Sequence, residues 1–262
     1  MNYDTNFPSV KDEVSEAEWD ARVELAACYR LVDRFAMTDL IYNHITSKIP
    51  GDDDHLLINL YGLMYKEITA SSLVKIDLQG NIVWKPETDY GYNYSGYVIH
   101  GAIHRAREDV GCVLHTHTRA GMAVSCMEEG VLPITQTSMR FHGHIGYHDY
   151  EGPAIDLDEQ KRLVVDLGPH NALVLRNHGL LTCGPSVPEA FNLMYQLEMS
   201  CRAQVDVMTA YASMIVPDDD VMAHTANLYK PETRRPYGIL EWPAMLRLLR
   251  YEADPRIPAF DS

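Results

Sequence analysis

The segment Cys112-Val113-Leu114-His115-Thr116-His117 is a short apolar run that ends in two histidines. Its composition predicts a buried strand. Side chains two positions apart in a strand point to the same face, about 7 Å apart along it. The imidazoles of His115 and His117 would therefore lie side by side and could bind one cation.

A second apolar run, Ala172 to Leu175, leads into Arg176-Asn177-His178-Gly179, and His178 follows His117 by 61 residues. If these two strands lie close together, His178 supplies a third ligand. Three protein ligands with an open position are typical of a catalytic metal site. A bare His-x-His pair is a weak signal among twelve histidines, so buried, hydrogen-bonded histidines at strand ends are the alternative.

The rest of the chain predicts alternating helices and strands. A capping box at Ser15 to Glu18 starts the first helix. Further on, Val74, Ile76 and Leu78 alternate with polar residues, as in a half-buried strand of an antiparallel hairpin. The predicted helices cover residues 16–35, 95–107, 120–127, 158–167, 187–212 and 244–252. The predicted extended segments cover residues 39–49, 56–59, 74–84, 110–114, 131–138, 172–175 and 180–183, and the acidic run 52–54 is predicted to be a solvated turn.

Composition limits the class of protein. The chain has 262 residues, of which 46% are hydrophobic, and this content is ordinary for a globular protein. Its net charge of −15 argues against nucleic acid as a partner. No apolar run approaches the roughly 18 residues of a membrane span, and residues 1–15 lack signal-peptide features. Five cysteines without a C-x-x-C motif predict buried free thiols in a reducing cytoplasm. We expect a cytoplasmic protein that does not associate with membranes.

A second group of histidines lies between Arg140 and Tyr150. His142 and His144 are again two positions apart, and His148 follows. A second metal site is one interpretation. The glycines around these residues favour solvated or hydrogen-bonded loop histidines instead, with His142 near the metal as a residue that contacts either the substrate or a metal ligand.

Several motifs together resemble the class II aldolase/adducin family over roughly residues 20–213. They are Tyr42-Asn43-His44-Ile45-Thr46, Thr69-Ala70-Ser71-Ser72-Leu73-Val74-Lys75, Val113-Leu114-His115-Thr116-His117, Ala120-Gly121-Met122-Ala123-Val124-Ser125, Gly146-Tyr147-His148-Asp149-Tyr150 and Leu175-Arg176-Asn177-His178-Gly179-Leu180. The chain divides accordingly into an arm (1–18), a family domain (19–213) and an irregular C-terminal tail (214–262) with a short helix, docked on the body or on a neighbouring subunit.

The resemblance implies an α/β fold with α/β/α layers, in which helices flank a central, mainly antiparallel sheet. It also implies a homotetramer with sites at subunit contacts. In the enzymes of the family, histidines that match His115, His117 and His178 bind a divalent ion. Zinc is expected here, with manganese as the alternative. The ion polarises a substrate carbonyl or stabilises an enolate, which is Lewis-acid catalysis.

The chain departs from the sugar-phosphate aldolases of that family at two places. Their catalytic glutamate lies 19 residues before the first metal histidine, where this chain has Gly96. Their phosphate-binding residues are matched in part by Asn43, Gly62 and Ser95, which we predict to bind substrate. Tyr61 and Tyr94 stand where small hydroxyl residues are usual.

Two hypotheses follow from the resemblance. The first is a metal-dependent lyase that performs aldol cleavage or decarboxylation, through a metal-stabilised enolate, on a small oxygenated carbonyl or carboxylate substrate. His142, Tyr94 and Tyr237 are the candidates for proton delivery. The second is an adducin-like binding or scaffold module without catalysis. A metal-dependent epimerase is a further alternative.

Overall fold

Eight strands form one mixed sheet in the order β4-β3-β2-β1-β5-β8-β7-β6. The computed structural model describes residues 4–152, 157–211 and 213–262, with their side chains except those of Ser95 and Leu157. The strands are β1 (His44–Ile49), β2 (Asp52–Ile58), β3 (Val74–Asp77), β4 (Ile82–Trp84), β5 (Cys112–Thr116), β6 (Gly146–His148), β7 (Ala172–Leu175) and β8 (Gly179–Gly184). All neighbouring strands pair antiparallel except β6 and β7, which are parallel.

Helices cover both faces of this sheet. They are α1 (Glu16–Arg34), α2 (Tyr94–Ala106), α3 (Arg119–Ser125), α4 (Leu157–Leu167), α5 (Val187–Thr209), α6 (Asp219–Leu228) and α7 (Trp242–Tyr251). Ser15 caps α1 as predicted, since its side chain accepts a hydrogen bond from the Glu18 amide at 3.1 Å. The prediction ends the long fifth helix at Ala212, which lies outside the described residues.

Alternate residues of β5 face the two helical layers. Cys112 and Leu114 pack in a core with residues of α1 and α5, whereas Val113 packs in a second core with residues of α2 and α4. The predicted α/β/α layers and the mainly antiparallel sheet are therefore confirmed. By the same alternation His115 lies on the α2 side of the sheet.

Three predicted segments differ from the structure. The acidic run Asp52-Asp53-Asp54 begins β2 instead of forming a turn, because its backbone continues the ladder while Asp53 and Asp54 keep their side chains in solvent. Residues 131–138 belong to no strand, and Pro133 among them has no amide hydrogen to donate to a ladder. Residues 39–43 are a turn in which Leu40 has a φ of 47°, so β1 begins only at His44.

The C-terminal tail contains two helices where the sequence predicted one. The additional helix is α6, whose apolar stripe is too short to stand out, with Met222 and Ala226 as its buried residues. Helix α7 packs beside α1, and the Phe260 carbonyl accepts a hydrogen bond from the Ala70 amide at 2.9 Å. None of the described helices combines the length and apolarity that a membrane span needs. The five cysteines are free thiols, of which Cys126 is exposed and the other four are buried.

Candidate metal centre

The predicted histidine triad forms where β5 ends and β8 begins. His115 is the fourth residue of β5 and His117 follows its last residue, while His178 immediately precedes β8. Asn177 turns the chain there with a φ of 56°, a left-handed conformation that asparagine tolerates. A Cβ on Gly179 would lie 2.4 Å from the Thr116 carbonyl oxygen, so glycine is required for this close approach of the two strands.

The three rings converge through their Nε2 atoms. The Nε2 atom of His117 lies 2.8 Å from that of His115 and 2.9 Å from that of His178. One donor atom from each residue falls within 4.8 Å of the others. Of the described residues, these three histidines form the group with metal-ligand geometry.

Two of the rings are oriented through their other nitrogen. The Nδ1 atom of His115 lies 2.9 Å from the Leu180 carbonyl oxygen, and that of His117 lies 3.2 Å from Asp39 Oδ2. Both acceptors require a hydrogen on Nδ1, so both Nε2 atoms carry lone pairs that face each other. Such lone pairs repel unless a cation lies between them. This arrangement, with an acceptor fixing the outer nitrogen, is typical of metal-bound histidine.

Burial keeps His115 and His178 in the neutral form that binds metal. Burial, followed by the neighbouring His117, lowers the pKa of His178 to about 4. Burial and the adjacent histidines lower the pKa of His115 well below its ordinary value. Both imidazoles are therefore neutral at neutral pH, as metal coordination requires. The donor set fits a divalent ion such as zinc.

Asp39 and Asn43 support the triad from the turn before β1. The Asn43 side-chain oxygen accepts a hydrogen bond from the Asp39 amide at 3.0 Å, and Asp39 in turn meets His117. The Asn43 Nδ2 atom is buried without a partner among the described residues. The role of Asn43 in substrate binding stays a prediction. Sequence reasoning missed Asp39, because only the folded turn brings it to His117.

His44 fills the space beside Gly96. The register of β1 and β5 places His44 opposite His115. A Cβ on Gly96 would lie 2.3 Å from His44 Cε1 and 2.5 Å from both ring nitrogens. The ring is buried, which lowers its pKa to about 3, and neither nitrogen makes a well-formed hydrogen bond to a described residue. His44 thus occupies the position where the side chain of a glutamate at residue 96 would begin.

Two further buried histidines, both in α2, lie near His44, and together the three rings form one buried group. The ring centroids of His44 and His100 are 4.1 Å apart. Thr46 Oγ1 lies 2.9 Å from His100 Nδ1 and 2.8 Å from His104 Nε2. Sequence reasoning missed this group, although His100 and His104 share one helix face at a spacing of four.

The three predicted proton donors lie apart from one another. Tyr94 begins α2 and is 55% exposed, with its ring 6.0 Å from that of Tyr97. His142 Nε2 lies 3.0 Å from Asp219 Oδ1, and Tyr237 stacks against Tyr229 with the ring centroids 5.1 Å apart. The described contacts of these residues do not include the triad, so their catalytic role stays a prediction.

The remaining predicted substrate residues are Gly62 and Ser95. Gly62 has a φ of 126°, and a Cβ there would lie 2.3 Å from Tyr90 Cε1. Glycine at this position therefore has a packing reason that is independent of any substrate. Ser95 lies in α2, and its side chain is outside the described part of the structure. Neither role in substrate binding is tested.

The second histidine group does not form a metal site in the described structure. His142 meets Asp219, and His148 Nδ1 lies 2.7 Å from Asp166 Oδ2. His144 packs against His170 with the ring centroids 6.3 Å apart. These histidines point to different partners, as hydrogen-bonded histidines do.

A mixed sheet between two helical layers, with a histidine triad at the ends of β5 and β8, defines a protein of the class II aldolase type. The chain belongs to the Class II Aldolase and Adducin N-terminal domain family, whose model matches residues 23–205. Members of this family are typically metal-dependent lyases that act on small molecules, and they are often oligomeric.

Three similar proteins illustrate the family. A protein of the aldolase class 2 type from Pseudomonas aeruginosa is 46% identical over 92% of this chain and 93% of its own length. Alpha-adducin from Rattus norvegicus is 44% identical over 82% of this chain but only 29% of its own length. The crystal structure of an aldolase II superfamily protein from Pseudomonas syringae superposes with a TM-score of 0.88 at 45% identity. That match covers 97% of this chain and 100% of the other.

Proposed function

We propose that this protein is a divalent-metal-dependent carbon–carbon lyase that acts on a small oxygenated carbonyl or carboxylate substrate. The convergence of the Nε2 atoms of His115, His117 and His178 carries the proposal. Neutral imidazole nitrogens suit zinc, with manganese as the alternative. A bound ion would act as a Lewis acid toward a substrate oxygen.

The surroundings of Gly96 favour decarboxylation over aldol cleavage. Aldol cleavage needs a base that removes a hydroxyl proton, and a glutamate at residue 96 would collide with His44. Decarboxylation needs no such base. The bond between the carboxylate and its carbon breaks, and CO2 leaves. The electron pair stays with that carbon as the enolate of an attached carbonyl, and a donor then supplies a proton to the carbon. Tyr94, His142 and Tyr237 are the proposed donors, and Asn43, Gly62 and Ser95 the proposed substrate contacts.

Metal analysis tests this proposal. We expect wild-type protein purified with added zinc or manganese to carry nearly one ion per chain. His115→Ala and His178→Ala should lose it while they keep the folded circular-dichroism spectrum. Wild-type protein without bound metal would refute the lyase proposal. With metal present, turnover of hydroxy-aromatic carboxylates but not of ketose phosphates would distinguish a decarboxylase from an aldolase.

An adducin-like binding module is the second candidate function. The 44% identity to rat alpha-adducin supports it. A module of this kind has no need of a cation between the Nε2 atoms. A metal-free wild-type protein whose stability is unchanged by His178→Ala would favour it.

We further propose a cytoplasmic homotetramer in which the tail approaches a neighbouring subunit. The separation of His142 and Tyr237 from the triad of their own chain supports this, because these two residues of one subunit, the second of them in its tail, could complete the site of a neighbour. Light scattering should give four times the chain mass of 29.7 kDa. A monomer would leave these two residues without a route to any triad.

A further inference from the structure

We propose that a cavity between the tail and the body binds a small oxyanion, a carboxylate or phosphate group, independently of the histidine triad of the same chain. The cavity has a volume of about 210 Å³. It reaches Gly184, whereas the triad lies at the other end of β8, beside Gly179. Six residues of its lining bear on the argument: Arg140, His144, His170, Glu189, Tyr229 and Lys230.

Arg140 is held in place by neutral groups. Its Nη1 atom donates to Asn192 Oδ1 and to Gln196 Oε1, both at 2.9 Å. Its guanidinium lies 5.4 Å from the ring centroids of both Tyr229 and Tyr237. These contacts fix the plane of the guanidinium before any ligand arrives, as recognition of a planar oxyanion requires.

Two nitrogen atoms on the other edge of this guanidinium can still donate hydrogen bonds. Within the described structure, Nε and Nη2 of Arg140 make no hydrogen bond, and neither atom is sealed from solvent. Burial lowers the pKa of Arg140 to about 10, so the group is still charged at neutral pH. Glu241 and Glu189 lie near enough to stabilise this charge, but neither forms an ion pair with Arg140, so an anion in the cavity would be its first direct partner.

The charge of the lining is positive although the chain is strongly acidic. Lys230 forms no ion pair with a described residue. The nearby carboxylates have partners of their own: Glu189 accepts from Ser186 Oγ at 2.7 Å, Glu241 pairs with Arg235, and Asp219 pairs with His142. Among the residues of the lining, Lys230 and Arg140 therefore outnumber the single carboxylate, that of Glu189. In a chain of net charge −15 this favours an anionic ligand.

His144 and His170 add donors without adding charge. Burial lowers the pKa of each ring, so both are neutral at neutral pH and each carries one N–H group. The cavity thus offers two charged and two neutral donor side chains. This composition suits a single oxyanion group better than an apolar ligand.

Calorimetric titration with inorganic phosphate and, separately, with malonate tests the proposal and distinguishes the two oxyanions. Arg140→Met should weaken binding of the preferred probe by about tenfold or more, as expected for the loss of a charge-assisted hydrogen bond. Lys230→Met should weaken it as well. Because the side chain of Lys230 makes no hydrogen bond with the described residues and only its backbone does, this second variant should fold and keeps the test valid if Arg140→Met does not fold.

Two controls complete the design. Arg247→Met removes an exposed arginine of the same tail and should bind as wild type. His178→Ala should also bind as wild type, which separates the cavity from the metal centre. Failure of wild-type protein to bind either probe would overturn the proposal. So would equal binding by Lys230→Met and Arg247→Met, or loss of binding in His178→Ala.

Discussion

The ring of His44 occupies the space into which any side chain at residue 96 would project, since a Cβ on Gly96 would lie 2.3 Å from His44 Cε1. The pair gives one departure of this chain from the sugar-phosphate aldolases a physical setting. A glycine replaces the glutamate, and a buried histidine of β1 lies where the glutamate side chain would begin. Restoring the glutamate alone would therefore not restore the aldolase site.

Gly96→Ala should destabilise the protein through this contact. The added methyl group overpacks a buried position, which costs about 1–3 kcal/mol of unfolding free energy. Urea denaturation would measure the loss. Gly91→Ala is the matched control, because a Cβ at Gly91 meets no atom within 4 Å. Equal stability of the two variants would contradict the proposed collision.

Asp39→Asn should weaken metal binding without abolishing it. The substitution removes the carboxylate that orients His117 through Nδ1, and such changes lower metal affinity by about 10- to 100-fold. Competition with a chromophoric chelator would measure the affinity. Asp53→Asn, on the exposed start of β2, should bind metal as wild type does. An Asp39→Asn variant with wild-type affinity would show that Asp39 does not support the triad.

The stability of the metal-free protein should fall in acid. Burial lowers the pKa of His44 and of His104 to about 3, against about 6.5 in the unfolded chain. Between these values the unfolded state binds more protons, so the unfolding free energy decreases as the pH falls. Each histidine contributes about 1.4 kcal/mol per pH unit in this window.

Urea denaturation of the chelator-treated protein between about pH 6.5 and pH 4 would measure this slope. The His104→Asn variant lacks one of the titrating groups and should show a shallower dependence. Identical slopes in wild type and variant would mean that His104 is not held neutral by the fold.

Arg22→Ala should be strongly destabilising. Arg22 is fully buried, donates to Glu18 Oε1 and to the Leu73 carbonyl, both at 2.9 Å, and ties α1 to the start of β3. Removing one partner of a buried ion pair costs about 3–5 kcal/mol. Thermal or urea unfolding would report the loss, and the exposed Arg247→Ala should stay within about 0.5 kcal/mol of wild type. A small effect at Arg22 would mean that Lys75 alone satisfies Glu18.

Local chemistry made much of the fold predictable. Ser15 begins a helix because its hydroxyl satisfies an exposed amide, and the alternation around Val74 and Ile76 marks a strand with one buried face. The prediction failed where tertiary contacts decide. The acidic run at Asp52 became a strand because neighbouring strands supply its backbone hydrogen bonds. Helix α6 was missed because its short apolar stripe depends on the body for its burial.

The sequence by itself determined the three histidines of the candidate site, because their strand-end positions and the family motifs are local features of the chain. Only the tertiary structure decided what surrounds them. Strand order placed His44 opposite His115 and beside Gly96, and a turn brought Asp39 to His117. Residues distant in sequence become neighbours only through packing and strand register. The sequence therefore identified the candidate metal ligands, whereas the fold revealed that a glutamate side chain at residue 96 would collide with His44.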